Sequence, residues 1–274
     1  MKISALVSYL ALMLAVSAPL SGLSKRECVP RRFSFRASAS FSAALVSTLA
    51  LPWSGAAPLS YLGFFERAGS PSCLWFPFAA LAFFFHEDSG MPRGIWRLLV
   101  IFLNMAAVVS ALEVFVSNEG IPGGIPGIEG MSAILVVSDR SDIRLVTAMV
   151  MFFVSLAMSY SQAYFPDDRG RLIFQNQRGR TKLTEMKPGW SRSMLDFSYC
   201  SFLAIVFFPT ARILLFVVKP PLLLAADFAA KFVIAVSISY FMIRPLGRVY
   251  ATSGRTDLIT PICFTVAGIY FLYY

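Results

Sequence analysis

Histidine is almost missing from this chain: 274 residues contain one, His86, set beside Glu87 and Asp88. A His-rich zinc site, an HExxH protease and bis-histidine haem ligation each need at least two, so these chemistries are excluded. His86 itself reads as a solvated loop residue. Cysteine is scarce too. Cys28, Cys73, Cys200 and Cys263 lie far apart with no CxxC or other metal-ligand spacing, and three sit in or beside apolar runs, where a thiol behaves as a small hydrophobe. Neither a disulfide framework nor a metal site is expected. Phosphate-cradling and nucleophile motifs are lacking as well, with no GxxxxGK[ST] and no GxSxG. The glycine-rich stretch 117–130, SNEGIPGGIPGIEG, follows no strand and opens no helix with a lysine, so its Pro-Gly pairs read as tight turns. No cofactor is expected.

Charge is the next shortage. Charged residues make up 14% of the chain, against roughly 25% in an ordinary globular protein. In their place stand 57% hydrophobic residues, 26 of the residues being Phe. Apolar runs of about 20 residues, enough to cross a hydrocarbon core of about 30 Å, recur along the sequence. The expected fold is an all-α integral membrane protein, a single polytopic bundle of about eight transmembrane helices. The expected spans are 3–20, 41–65, 73–85, 95–116, 145–165, 197–218, 222–243 and 258–274. The first resembles a signal peptide, with Ala15-Val16-Ser17 as a small-residue cleavage site. The basic cluster that follows it (Lys25, Arg26, Arg31, Arg32, Arg36) favours a retained helix instead. The second is interrupted by 51–58, LPWSGAAP, whose two prolines and glycine break or kink a helix. The third, 73–85, is short for a span and either crosses with help from its flanks, as the charge count favours, or only dips into the membrane.

The net charge of +9 invites a nucleic-acid reading, yet the basic residues sit in short loops, without interleaved stacking aromatics. No nucleic acid is expected as a partner. The distribution fits retention of Lys and Arg on the cytoplasmic side instead. Loops 24–40, 86–97, 166–196 and 244–257 hold 17 Lys/Arg, whereas the alternate segments 1–2, 66–71, 117–144 and 219–221 hold 5. Both termini are therefore expected outside, most simply in a bacterial plasma membrane. The longest polar stretch, 166–196, is too short and too broken by Pro and Gly for its own core. Its basic residues are expected to touch anionic lipid head groups, at roughly 1 kcal/mol each near the surface.

Against this background four ionisable residues fall inside expected spans: Glu113, Arg212, Asp227 and Lys231. Asp, Lys or Arg at a helix centre costs roughly 2.5–3.5 kcal/mol on the insertion scale, so such groups face the bundle interior and find partners. Asp227 and Lys231 stand at i and i+4, on one helix face. At 1.5 Å per residue they lie about 8 and about 14 Å below the outer end of their span. The four charges sum to zero. A second polar stripe, Ser155, Ser159 and Gln162, repeats at i, i+4 and i+7. Either set packs helices through interhelical pairing or lines a polar path. Pro209 and the 51–58 interruption add a transporter-like feature, since discontinuous helices often border binding sites. Transport or permeation of a small solute or ion is the expected function. The rivals are a structural or assembly subunit of a larger membrane complex, with other membrane subunits as partners, and a membrane-embedded enzyme acting on lipid.

Overall fold

A computed structural model describes residues 35–53, 74–86, 92–118, 143–164, 190–208, 210, 214, 220–253 and 258–274. Among them the chain is helical throughout, with no strand. The elements are α1 (Phe35–Ala50), α2 (Trp75–His86), α3 (Pro92–Asn118), α4 (Ile143–Tyr164), α5 (Trp190–Phe207) and α6 (Pro220–Ser237). A π-helical segment (Ile238–Ile243), α7 (Arg244–Ser253) and α8 (Ile259–Tyr273) follow. Two helical stretches, Ile143–Gln162 and Ala225–Gly247, are long and apolar enough to cross a membrane. The span expected at 3–20 and most of the loop 166–196 lie outside the described residues.

Proline decides where α1 stops. Pro52 has no N–H, so the Thr48 carbonyl loses the donor that a continuing helix would supply. It accepts instead from the Leu51 N–H at 3.3 Å and the Trp53 indole Nε1 at 2.9 Å. The Trp53 N–H turns back to the Leu51 carbonyl at 3.0 Å, closing a three-residue turn around the proline. The end of α5 repeats this device. Phe208 still donates to Ala204, at 3.2 Å, but the Thr210 N–H returns to the Phe208 carbonyl at 2.9 Å, across Pro209. Two helices thus end in the same Xaa-Pro-Xaa turn.

The helices gather in two groups. α1 packs on α2 and α5, and α5 on α6. Small residues let α1 approach closely: Ser40, Ala43, Ala44 and Ser47 form one buried stripe. Ser40 donates to the Ala82 carbonyl of α2 at 2.8 Å, and Ser47 shares a proton with Ser198 of α5 at 2.6 Å. The second group sets α8 and α3 against α4. Gly268 makes the α4–α8 contact possible, because a Cβ there would lie 2.6 Å from Cε1 of the buried Phe152. Aromatic rings fill the interior: Trp75 stacks on Phe202 within the first group at 4.2 Å, and Tyr160 on Tyr199 between the groups at 4.0 Å.

Polarity is distributed inside out. Asn104, Ser155, Ser159, Gln162, Asp196, Asp227, Lys231 and Thr265 are buried. Large apolar side chains point outward, including Phe84, Leu103, Val150 and Val233, with Phe241 78% and Ile259 73% exposed. On α8 the exposed positions Ile259, Ile262, Val266 and Tyr270 form a helical stripe.

Candidate functional site

Asp227 and Lys231 project from α6 one turn apart and are 3% and 7% exposed. Lys231 Nζ donates to Asp227 Oδ2 at 2.7 Å. The remaining ligands come from the two proline turns. The Trp53 carbonyl accepts a second bond from Lys231 Nζ at 3.0 Å, and the Thr210 hydroxyl donates to Asp227 Oδ1. In each turn the residue that follows the proline reaches the ion pair, one through its backbone and one through its side chain. Both α1 and α5 end here, and a helix C-terminus carries a partial negative charge that favours a cation. The charges of the pair cancel, as a buried site requires. Around it the Trp53 ring stacks on Phe197 at 5.8 Å and tilts against Phe228 at 5.3 Å, and Phe197 meets Phe232 at 5.5 Å. The site is a small polar point in an aromatic wall.

The four charged residues expected together are not all at this point. Glu113 is on an exposed face of α3 and is not bonded to the pair. Arg212 lies outside the described residues.

The polar stripe of α4 serves a separate cluster. Asn104 of α3 donates through Nδ2 to Ser155 at 2.8 Å and to Ser159 at 2.9 Å, and its Oδ1 accepts from Thr265 of α8 at 2.6 Å. Ser155 also contacts the Pro261 carbonyl at 2.6 Å and the Thr265 hydroxyl at 2.7 Å. Two hydroxyl protons, of Ser155 and Thr265, are thus shared among three short oxygen–oxygen contacts, and the cluster has more than one proton arrangement. It clasps α3, α4 and α8 together. Gln162 is buried on the same helix.

A third buried group was counted in the sequence as the last residue of a loop. α5 begins at Trp190, not near 197, and Asp196 is inside the bundle, accepting from the Tyr160 hydroxyl at 2.7 Å. That bond ties the two helix groups to each other. The buried Cys200 thiol, one turn on, lies near Ser239 of the π segment, Asp196 and Arg244. The extra residue of the π segment is taken up where the Arg244 N–H bonds the Ser239 carbonyl five residues back. The Arg244 guanidinium sits over the Tyr240 ring at 5.3 Å.

Sequence reasoning missed Trp53 and Thr210 as ligands, and Asn104, Thr265 and Asp196 altogether. A signal existed for Asn104, an amide alone in the apolar run 98–109. None existed for the Trp53 ligand, which is a backbone carbonyl. Among the described residues no group of three His, Cys, Asp or Glu is placed to hold a metal ion. Neither protein-family models, nor curated proteins, nor solved structures match the chain.

Proposed function

We propose that the chain is a multi-pass membrane protein that moves a small solute or ion across the bilayer, with the Asp227–Lys231 pair as its polar site. The observation that carries this reading is the convergence of two proline-broken helix ends on one buried ion pair. In lipid a broken helix leaves backbone groups that protein or bound solute must satisfy, and membrane transporters place such breaks at their binding sites. A membrane setting is supported by the outward Phe, Val, Leu and Ile side chains around an interior of amide, hydroxyl and charged groups. It is also supported by the two stretches long and apolar enough to span. The basic loops then face the cytoplasm, of a bacterial cell on the simplest reading, and the pair lies in the outer half of the membrane.

The test is solute and ion flux in proteoliposomes holding the purified full chain. Dissipation of an imposed ion or proton gradient above that of empty liposomes supports the reading. Tightness equal to empty liposomes across a panel of ions and small solutes counts against it.

A second reading, an assembly subunit of a larger complex, draws on the Asn104 clasp. That cluster is satisfied within the chain, which suits a role in helix packing. Stoichiometric copurification of another membrane protein in mild detergent would favour this reading, and a clean monomer would weaken it.

A further inference from the structure

Where α3 ends, α4 begins and α8 ends, the chain encloses a cavity of about 170 Å³ that shares no lining residue with the Asp227–Lys231 site. Phe115, Arg144 and the rings of Phe271, Tyr273 and Tyr274 line it. We infer that this cavity seats the phosphate head group of a membrane phospholipid, with an acyl chain laid along the exposed stripe of α8. This site rests on the membrane setting proposed above and is independent of transport. In that setting the basic loops face the cytoplasm, so all three helix ends lie at the outer surface.

Arg144 supplies the charge. It is exposed, and its Nη1 donates to the Tyr274 carbonyl at 2.6 Å, which holds the guanidinium at the cavity. A guanidinium carries five N–H groups in a fixed fork that matches a phosphate, and it stays protonated at any working pH. Among the described residues no other charged side chain lines the cavity. Glu113 stands two residues before Phe115, about 200° round α3, and so on a different face. The positive end of α4 meets the negative end of α8 here, so the helix dipoles largely cancel and the arginine decides the sign. Volume decides what fits. Drug-sized ligands fill pockets of roughly 300–1,000 Å³. A cavity of about 170 Å³ takes a head group and leaves the rest of the molecule outside.

The surface outside suits a hydrocarbon chain. Ile259, Ile262, Val266 and Tyr270 form the exposed stripe of α8, and the Tyr270 ring stacks on the cavity-lining Tyr274 at 5.5 Å. At 1.5 Å per residue the stripe is about 16 Å long, close to one leaflet of a hydrocarbon core of about 30 Å. Tyr270 and Tyr274 are 60% and 80% exposed, as suits rings of an aromatic belt at head-group level. The Tyr273 hydroxyl donates inward to the Ala111 carbonyl of α3 at 2.8 Å, which pins the end of α8 and keeps the cavity in shape. A free anion would use the arginine and leave the stripe bare; a phospholipid uses both.

The experiment is native mass spectrometry of the full chain in mild detergent, titrated with dipalmitoyl phosphatidylglycerol. The lipid should bind the wild type at least about fivefold more tightly than Arg144→Gln, the worth of one basic residue at a lipid surface. Arg144→Lys should recover part of the loss. Diacylglycerol with the same chains should bind both proteins alike and more weakly, and glycerol phosphate should not displace the lipid. A photoreactive group on the lipid head should crosslink to the peptides that hold Arg144 and Tyr274, and this decides alone if the variants fail to fold. Equal binding to wild type and Arg144→Gln, crosslinks confined to the basic loop 166–196, or displacement by glycerol phosphate would each overturn the inference. Release of the chain from membranes by alkaline carbonate would sink the membrane setting and this site together. Retention without the lipid contact would sink this site alone, and the lipid contact in a protein that carries no flux would sink only the transport reading.

Discussion

Removing one member of the Asp227–Lys231 pair strands the other charge inside the bundle. Lys231→Met keeps the stem length but leaves Asp227 with Thr210 as its one partner among the described residues. Asp227→Asn keeps a group that Thr210 can bond and leaves the ammonium on the Trp53 carbonyl alone. At 2.7 Å the attraction is about 6 kcal/mol for an effective dielectric of about 20. Part of that offsets the cost of dehydrating both ions, so each single substitution should cost about 3–5 kcal/mol. The double variant carries no buried charge and should lie within about 2 kcal/mol of the wild type, because neutral replacement of a buried pair is often tolerated. The coupling energy is then about 4 kcal/mol or more. It can be read from SDS-induced unfolding in mixed micelles, followed by tryptophan fluorescence, to which the buried Trp53 and Trp75 both contribute. Single costs below about 1 kcal/mol, or costs that simply add in the double variant, would refute the picture of a desolvated pair.

Three further outcomes follow from other contacts. Gly268→Ala places a methyl 2.6 Å from Phe152, so α8 should shift away from α4 at a cost of about 1–3 kcal/mol in the same unfolding assay; Phe152→Leu in the same chain should recover part of it. Asn104→Leu removes three bonds of the clasp. At about 0.6 kcal/mol for a typical bond in a membrane interior, and up to about 1.7, a loss of about 2 kcal/mol is expected, with ion flux retained if the clasp only packs helices. Cys263 is exposed on α8 and Cys200 is buried, so in a variant with Cys28 and Cys73 replaced by Ser a lipid-soluble maleimide should label Cys263 and not Cys200 in intact membranes, while a charged thiol reagent should label neither of the two. Rapid labelling of Cys263 by the charged reagent would place that face in water.

How far the architecture was legible depends on the kind of interaction concerned. The i, i+4 spacing of Asp227 and Lys231 was enough to pair them, because both partners ride on one helix and need no knowledge of the fold. The face shared by Ser155 and Ser159 was legible for the same reason. Pro52 and Pro209 marked two interruptions, yet nothing local said that both would meet one ion pair, since that depends on how α1, α5 and α6 pack. Hydropathy put the start of α5 near 197 because Arg192 and Asp196 read as loop. Helix formation needs only backbone bonds and a partner for the carboxylate, and Tyr160, 36 residues earlier, supplies that partner. The zero charge sum of Glu113, Arg212, Asp227 and Lys231 was a weaker guide. Among the described residues the neutral unit is the Asp227–Lys231 pair, Glu113 is exposed on α3, and Arg212 lies outside them.

The most direct test of the central claim is the flux of wild-type and Asp227→Asn protein compared in the same proteoliposomes. An interior pH dye would report the decay of an imposed gradient, and protease protection would confirm equal insertion. Wild-type flux should lie well above that of empty liposomes, and most of it should be lost in the Asn variant at equal insertion. Equal flux by both proteins would contradict it, because the buried pair would then have no part in moving anything across the membrane.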